Sequence, residues 1–277
     1  MAQALRLTLP GGLWWNGRVE TSVTLKPITG RVQTAILDHQ HTPWSRPEMV
    51  TAILGEVIQS IGTAECEPQM AASLTVEDRQ FLMLQLGILL RGDQMWLEAD
   101  CTSCTAIFDI SLACSALPVK SAGEGYPFTS VRLGGKTWRL SLPNGSDQAL
   151  VQGLEDRKAV ELLIRMCLTA SEADRNEIDE LVESLSEDEI GRIETALEVI
   201  APVVVTRLTT QCPECHTPQT VQLDPYAYGS LDDNVLFNEI HTIAHHYHWS
   251  ESEILDLTLA RRSIYLKMID ESRGIRS

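Results

Sequence analysis

Four of the seven cysteines fall into two C-x-x-C pairs, Cys101 with Cys104 and Cys212 with Cys215. That spacing lets two thiolates of one tight turn face a common cation. Two such turns complete the tetrahedral four-sulfur shell that holds structural zinc. A closed shell leaves no position for water or substrate, so the implied chemistry is structural and not catalytic. The stretch between the pairs is far longer than the roughly 15 to 20 residues of a compact zinc ribbon. One zinc held by Cys101, Cys104, Cys212 and Cys215 would therefore staple distant parts of the chain. A redox C-x-x-C instead sits where a strand turns into a helix, whose N-terminus lowers the thiol pKa. Here β-type sequence flanks both pairs: QMWLEAD and TAIFDISLA around the first, VVVTRLTT and TPQTVQL around the second. A thiol oxidoreductase ranks below structural zinc on that ground. Free thiols, or separate sites with His216 helping the second pair, are the blander alternatives. Cys66, Cys114 and Cys167 stand alone in apolar or helical surroundings and read as core residues.

The other chemistry-bearing residues are less specific. His241 and His245 have an i, i+4 spacing that can hold a metal, but no H-E-x-x-H pattern or third ligand accompanies them. Tyr247, His248 and Trp249 before Ser250 read as an aromatic turn between helices. The helical ending resembles a helix-turn-helix in outline, yet Glu251, Glu253 and Asp256 suit DNA poorly. No G-x-S-x-G, P-loop or G-x-G-x-x-G is present. No catalytic and no organic-cofactor residue is assigned, and an enzyme is not expected.

The formal net charge of the 277 residues is -16, which disfavours phosphate backbones and anionic lipid and favours basic partners. A zinc-ribbon regulator associated with nucleic acid is the runner-up that this charge opposes. Apolar runs fall short of a membrane span, that of Phe81 to Leu90 being broken at Gln85. Arg6 and Pro10 interrupt the first apolar stretch, so no secretory signal is read and the expected location is the cytoplasm.

The elements that must carry the cysteines follow from patterning. LRLTL, Pro10-Gly11-Gly12, LWW, Asn16-Gly17 and VETSVTL read as strands and turns, with Asn-Gly as a hairpin signal. Ser45 and Glu48 form a capping box ahead of Met49, Ile53, Leu54, Val57 and Ile58 at helical spacing. A helix from Thr75 to Gly92 has almost no polar face and should be buried on most sides. The period then changes to two, predicting a β-hairpin with Cys101 and Cys104 at its tip, and the second pair repeats that form. Between them come a linker over 117–127, a hairpin TSVRL/KTWRLSLP across Gly134-Gly135, and a helix from about Ser146 to Ala170. Glu172 to Glu198 should form amphipathic helices with a strongly acidic outer face. Asn234 to Ile269 reads as helices, with a capping box at Ser250 and Glu253.

LRLTLPG over 5–11 resembles WRLSLPNG over 138–145, and in both places helices and then a cysteine hairpin follow. The expected class is α+β: two related halves of β-hairpins and helices, each giving a C-x-x-C knuckle to one shared site, with a C-terminal helical segment. The boundaries are 1–116 for the first half, 117–127 for the linker, 128–229 for the second half and 230–277 for the C-terminal helices.

LPGGLWWNGRVETSVTLKPITG, LPNGSDQ, the two cysteine hairpins and EIHTIAHHYHWSESEILDLTLARRSIYLKMI, in that order, resemble the baseplate hub assembly chaperone family of T-even-type contractile phage tails. The family includes relatives encoded with phage-tail-like contractile injection systems. The resemblance spans most of the chain, and HYHWSESEIL with the paired cysteine hairpins is its most specific part. It implies no enzyme activity but a role in building or forming the hub and baseplate, with hub, spike or tape-measure proteins as partners. The location would then be the cytoplasm or the assembled particle. Some relatives lack the cysteine pairs, so zinc rests on the residues alone.

Overall fold

The computed structural model describes residues 4–168 and 173–274. Strands β1 (Leu5–Trp15) and β2 (Arg18–Leu25) form an antiparallel hairpin about Asn16-Gly17. Pro10-Gly11-Gly12 does not interrupt β1; it is absorbed as a bulge, and the register with β2 shifts between Thr8 and Leu13. Gly12 makes this possible with φ of 107°, a conformation that L side chains avoid. Next come helices α1 (Gly30–His41) and α2 (Arg46–Val57), the latter opened by the expected Ser45/Glu48 box. Strands β3 (Ile58–Ile61) and β4 (Ala64–Glu65) complete a sheet of order β1-β2-β3-β4. Helix α3 (Pro68–Ser73) leads into α4 (Val76–Arg91).

Helix α4 occupies the place that its apolar sequence demands. Leu82, Met83, Leu84, Leu86 and Gly87 are buried, and it packs on β1, α2 and the later short helix Pro225–Tyr228. Its first turn anchors both of the resembling P-G and P-N-G turns. The backbone N–H groups of Gly11 and Gly12 each donate to the Asp78 carboxylate at 2.9 Å. Gly145 lies against Arg79 so closely that a Cβ there would come within 2.2 Å of the guanidinium. Arg79 in turn donates to the Pro47 and Ala71 carbonyls and the Thr51 hydroxyl. Two consecutive side chains of one helix thus meet two turns far apart in sequence, Asp78 by hydrogen bonds and Arg79 by close packing.

Beyond α4 stands the ribbon of β5 (Gln94–Asp100) and β6 (Ile107–Ala113). The stretch 117–127 contains β7 (Val119–Lys120) and Tyr126, whose hydroxyl donates to the Gly12 carbonyl and Asp78. Hairpin β8 (Phe128–Leu133) and β9 (Lys136–Ser141) follows as expected. The helix read from Ser146 to Ala170 is two, α5 (Gly145–Val151) and α6 (Asp156–Leu168), broken at Gln152-Gly153, where Gly153 has φ of 79°. Thr169 and Ala170 at its expected end, and Glu172 at the start of the acidic segment, lie outside the described residues. That segment forms α7 (Arg175–Ser184) and α8 (Glu187–Ile200), whose Ile178, Val182 and Ile193 share a core with Trp138, Leu140, Ile164 and Leu168.

Strand β10 (Val203–Val204) pairs with β7. The second ribbon is β11 (Arg207–Gln211) with β12 (Pro218–Gln222), leading into α9 (Pro225–Tyr228). Gly87 of α4 leaves room for Tyr228: a Cβ there would meet the ring at 2.2 Å. Helices α10 (Asp233–Tyr247), α11 (Glu251–Leu255) and α12 (Leu259–Ser272) close the chain over a core that includes Leu37 of α1. The aromatic turn expected there is present, with Trp249 at 5.2 Å from Tyr247 and 5.0 Å from Tyr265 between ring centroids. The fold is α+β, and among the described residues no helix is long and apolar enough to cross a membrane.

Candidate metal centre

Each ribbon turns at its cysteines by the same backbone device. In the first, the Cys101 N–H donates to the Ala106 carbonyl at 2.9 Å and the Thr105 N–H to the Cys101 carbonyl at 3.1 Å. In the second, the Cys212 N–H donates to the Thr217 carbonyl at 3.1 Å and the His216 N–H to the Cys212 carbonyl at 2.9 Å. The residue after the second cysteine takes the left-handed conformation in both, Thr105 and His216 each at φ of 59°. Such values are uncommon for residues other than glycine and most costly for a β-branched one. The strain is local to the tips, where the turn must aim both sulfurs the same way.

The two tips meet. Cys101 Sγ lies 3.5 Å from Cys215 Sγ and Cys104 Sγ 3.7 Å from Cys212 Sγ, and all four sulfurs fall within 4.8 Å of one another. These distances exclude disulfides, whose sulfurs sit about 2.05 Å apart. They resemble the roughly 3.8 Å edge of a tetrahedron with zinc–sulfur bonds of about 2.3 Å. Backbone N–H groups of Ser103 and Cys104 point at Cys101 Sγ from 3.4 and 3.5 Å. Roots of the ribbons are tied as well, through an apolar cluster of Met95, Leu117, Val204, Leu223 and Tyr228 against Leu84 of α4.

Charge at the cluster is unevenly distributed. Hydrogen bonds from the Cys104 and Ser103 backbone hold the Cys101 thiol below its usual range. The Thr217 side chain and backbone bring Cys215 down to about 6. At Cys104 the Ala106 backbone acts in the same direction, but the sulfurs of Cys215, Cys101 and Cys212 together with desolvation outweigh it, and the thiol rises to about 12. Sulfurs this close share protons unless a cation supplies the charge that lets all ionise. The donor set therefore suits one thiophilic divalent ion such as zinc.

All four sequence-selected cysteines come together, while His216 contributes its backbone to the turn and His241 and His245 stack on each other in α10 at 6.1 Å, away from the cluster. A residue that patterning missed is Gln219. Only 4% exposed, it donates from Nε2 to Cys101 Sγ at 3.4 Å and accepts at Oε1 from the Thr102 N–H and hydroxyl at 3.1 and 3.0 Å. It belongs to the second ribbon and grips the tip of the first. Its one sequence signal is its phase, since in β12 it alternates with the exposed Pro218 and Thr220 and so must face inward.

Among known proteins, no curated relative and no solved structure matches the chain significantly. The sequence model of the family described as T4 bacteriophage base plate protein matches residues 13–227, more than three quarters of the 277 residues.

Proposed function

The chain belongs to the T4 bacteriophage base plate protein family, and from that premise we propose that it is a non-enzymatic, zinc-stapled assembly factor or structural part of a contractile tail's baseplate or hub. Membership supports a structural or assembly role in a phage baseplate. The finer reading adds that one zinc, held by Cys101, Cys104, Cys212 and Cys215, fixes how the two related halves dock, and that hub, spike or tape-measure proteins are the partners. A contractile injection system is the other setting in which the same role would operate.

The observation that carries the zinc reading is the convergence of four sulfurs whose closest cross-ribbon pairs span more than a hundred positions of the chain. Apparent binding free energies of structural zinc run on the order of 10 to 16 kcal/mol, comparable with a domain's whole stability. Even a fraction of that would set the ribbons' relative position. A saturated sulfur shell also leaves no site for a reacting water.

Two experiments test the reading. Cross-linking of the tagged chain in phage-infected cells, followed by mass spectrometry, should recover hub, spike or tape-measure proteins. Recovery of RNA polymerase subunits alone would overturn it. Cys212→Ser should lose the metal and accumulate as insoluble protein, and an equally stable, metal-free variant would count against the staple.

A further inference from the structure

The β5–β6 ribbon has one face turned to the protein and one turned away. Met95 and Ala99 are buried on the inner side, and Leu97, Phe108, Ile110 and Leu112 are half-buried there. The outer side carries Trp96, 70% exposed, and Ile107, 65% exposed, the two most exposed large apolar side chains of the described residues. Between them sit Glu98, Asp100 and Asp109. Register places Glu98 directly opposite Asp109, and Asp100 opposite Ile107. Like charges paired across a two-stranded ribbon destabilise it. Among the described residues no lysine, arginine or histidine forms an ion pair with any of the three carboxylates.

Resting on the baseplate reading above, we propose that this outer face is a docking surface for another baseplate protein, through a segment that presents lysine or arginine side chains between apolar ones. The occupant's chemistry follows from the face. An exposed tryptophan and isoleucine flanking three unpaired carboxylates leave apolar area and negative charge unsatisfied together, and a basic, apolar segment answers both. Aromatic residues of this kind are the usual anchors of protein interfaces. Beside Trp96 a cavity of about 350 Å³ opens against Leu97 and Tyr228, room for an apolar side chain of the partner. Arg91, the basic residue in its lining, is turned to the Ser230 carbonyl and the Tyr228 ring. A second copy is not the occupant, because the same carboxylates would then face one another across the contact. Since Asp100 and Ile107 are the last pair of the ribbon before its cysteine tip, the proposed zinc site would fix the position of a partner seated here.

The test uses the full-length, metal-loaded chain and a short synthetic peptide alternating lysine with valine, with a glutamate–valine peptide as control, measured by calorimetry at two ionic strengths. The lysine peptide should bind, more weakly at higher salt, and the control should not. Trp96→Ser, and separately Glu98→Gln with Asp109→Asn, should each weaken binding at least about tenfold. The second pair should leave the melting temperature unchanged or higher, because it removes the cross-strand repulsion. Neutralising Glu194 and Glu198 on α8 should not weaken binding. Equal losses from the α8 and ribbon variants would mean diffuse attraction to an acidic protein and would overturn the proposal, as would self-association abolished by Trp96→Ser. Tail assembly separates this idea from the one beneath it. If deletion of the chain stops assembly but Trp96→Ser does not reduce it, the surface is wrong and the baseplate role stands; assembly that survives deletion overturns both.

Discussion

Counting outward from the cysteines, the five positions nearest the tip in each strand of the first ribbon have partners in the second. Asp100 corresponds to Gln211, Glu98 to Thr209, Trp96 to Arg207, Ile107 to Pro218, Asp109 to Thr220 and Ser111 to Gln222. At the tips the correspondence is nearly complete: the same backbone hydrogen bonds, a left-handed residue at the same position and a matching pair of sulfurs. Away from them it fails on both faces. The outer face of β11–β12 is polar and carries the positive charge of Arg207, which is hydrogen-bonded to Gln222 across the strands, whereas that of β5–β6 is apolar and acidic. On the inner face Phe108 corresponds to Gln219, and only Gln219 reaches across to the other ribbon. Convergence of four sulfurs constrains the tips of both ribbons alike, so they stay alike; the faces answer to different neighbours, so they differ. One ribbon holds the joint and the other offers a surface.

The largest expected effect tests whether the tips are one site. Cys104→Ser and Cys215→Ser, one from each ribbon, should each abolish metal binding and lower the melting temperature by more than about 10 °C, measured by calorimetric melting. Two independent sites would instead give half the metal and unequal losses. Next in size is the clamp. Gln219→Ala leaves the Thr102 N–H and hydroxyl without their acceptor and should cost about 2 kcal/mol in urea unfolding. Swapping in the counterpart residue, Gln219→Phe, should not restore it.

Smaller effects come from the strained turns and the outer faces. Thr105→Gly should gain about 0.5 to 1 kcal/mol, the relief of a left-handed β-branched residue less glycine's entropic cost. His216→Gly should gain less, histidine tolerating that conformation better than threonine. Equal gains would mean the two turns are not strained as their residue types dictate. Smallest of all, Glu98→Gln should stabilise by about 0.2 to 0.5 kcal/mol through loss of the repulsion with Asp109, while its counterpart change Thr209→Gln should be neutral. A destabilised Glu98→Gln would show that the carboxylate has a partner within the fold.

What the sequence made legible is what local chemistry decides. The C-x-x-C pairs and their flanking alternation located both tips, because few other residue patterns do what paired thiolates at that spacing do. Ser45 with Glu48 and Ser250 with Glu253 marked helix starts for the same reason: the bonds close within one turn. Features settled by distant partners were not legible. Helix α1 is not legible because its buried face includes the polar Gln33, which accepts from Arg262 near the other end of the chain. Pro10-Gly11-Gly12 read as a turn because Asp78, which accepts its N–H groups, lies 67 residues on. Gln219 read as one more polar residue of a strand because its meaning depends on Thr102, 117 residues away.

The central claim, a single ion shared by both ribbons, is tested most directly by native mass spectrometry of the purified full-length chain with elemental analysis of the same sample. The account predicts one zinc per chain, lost completely on replacing any one of the four cysteines. Two ions per chain, or full zinc retention after Cys101→Ser, would contradict it.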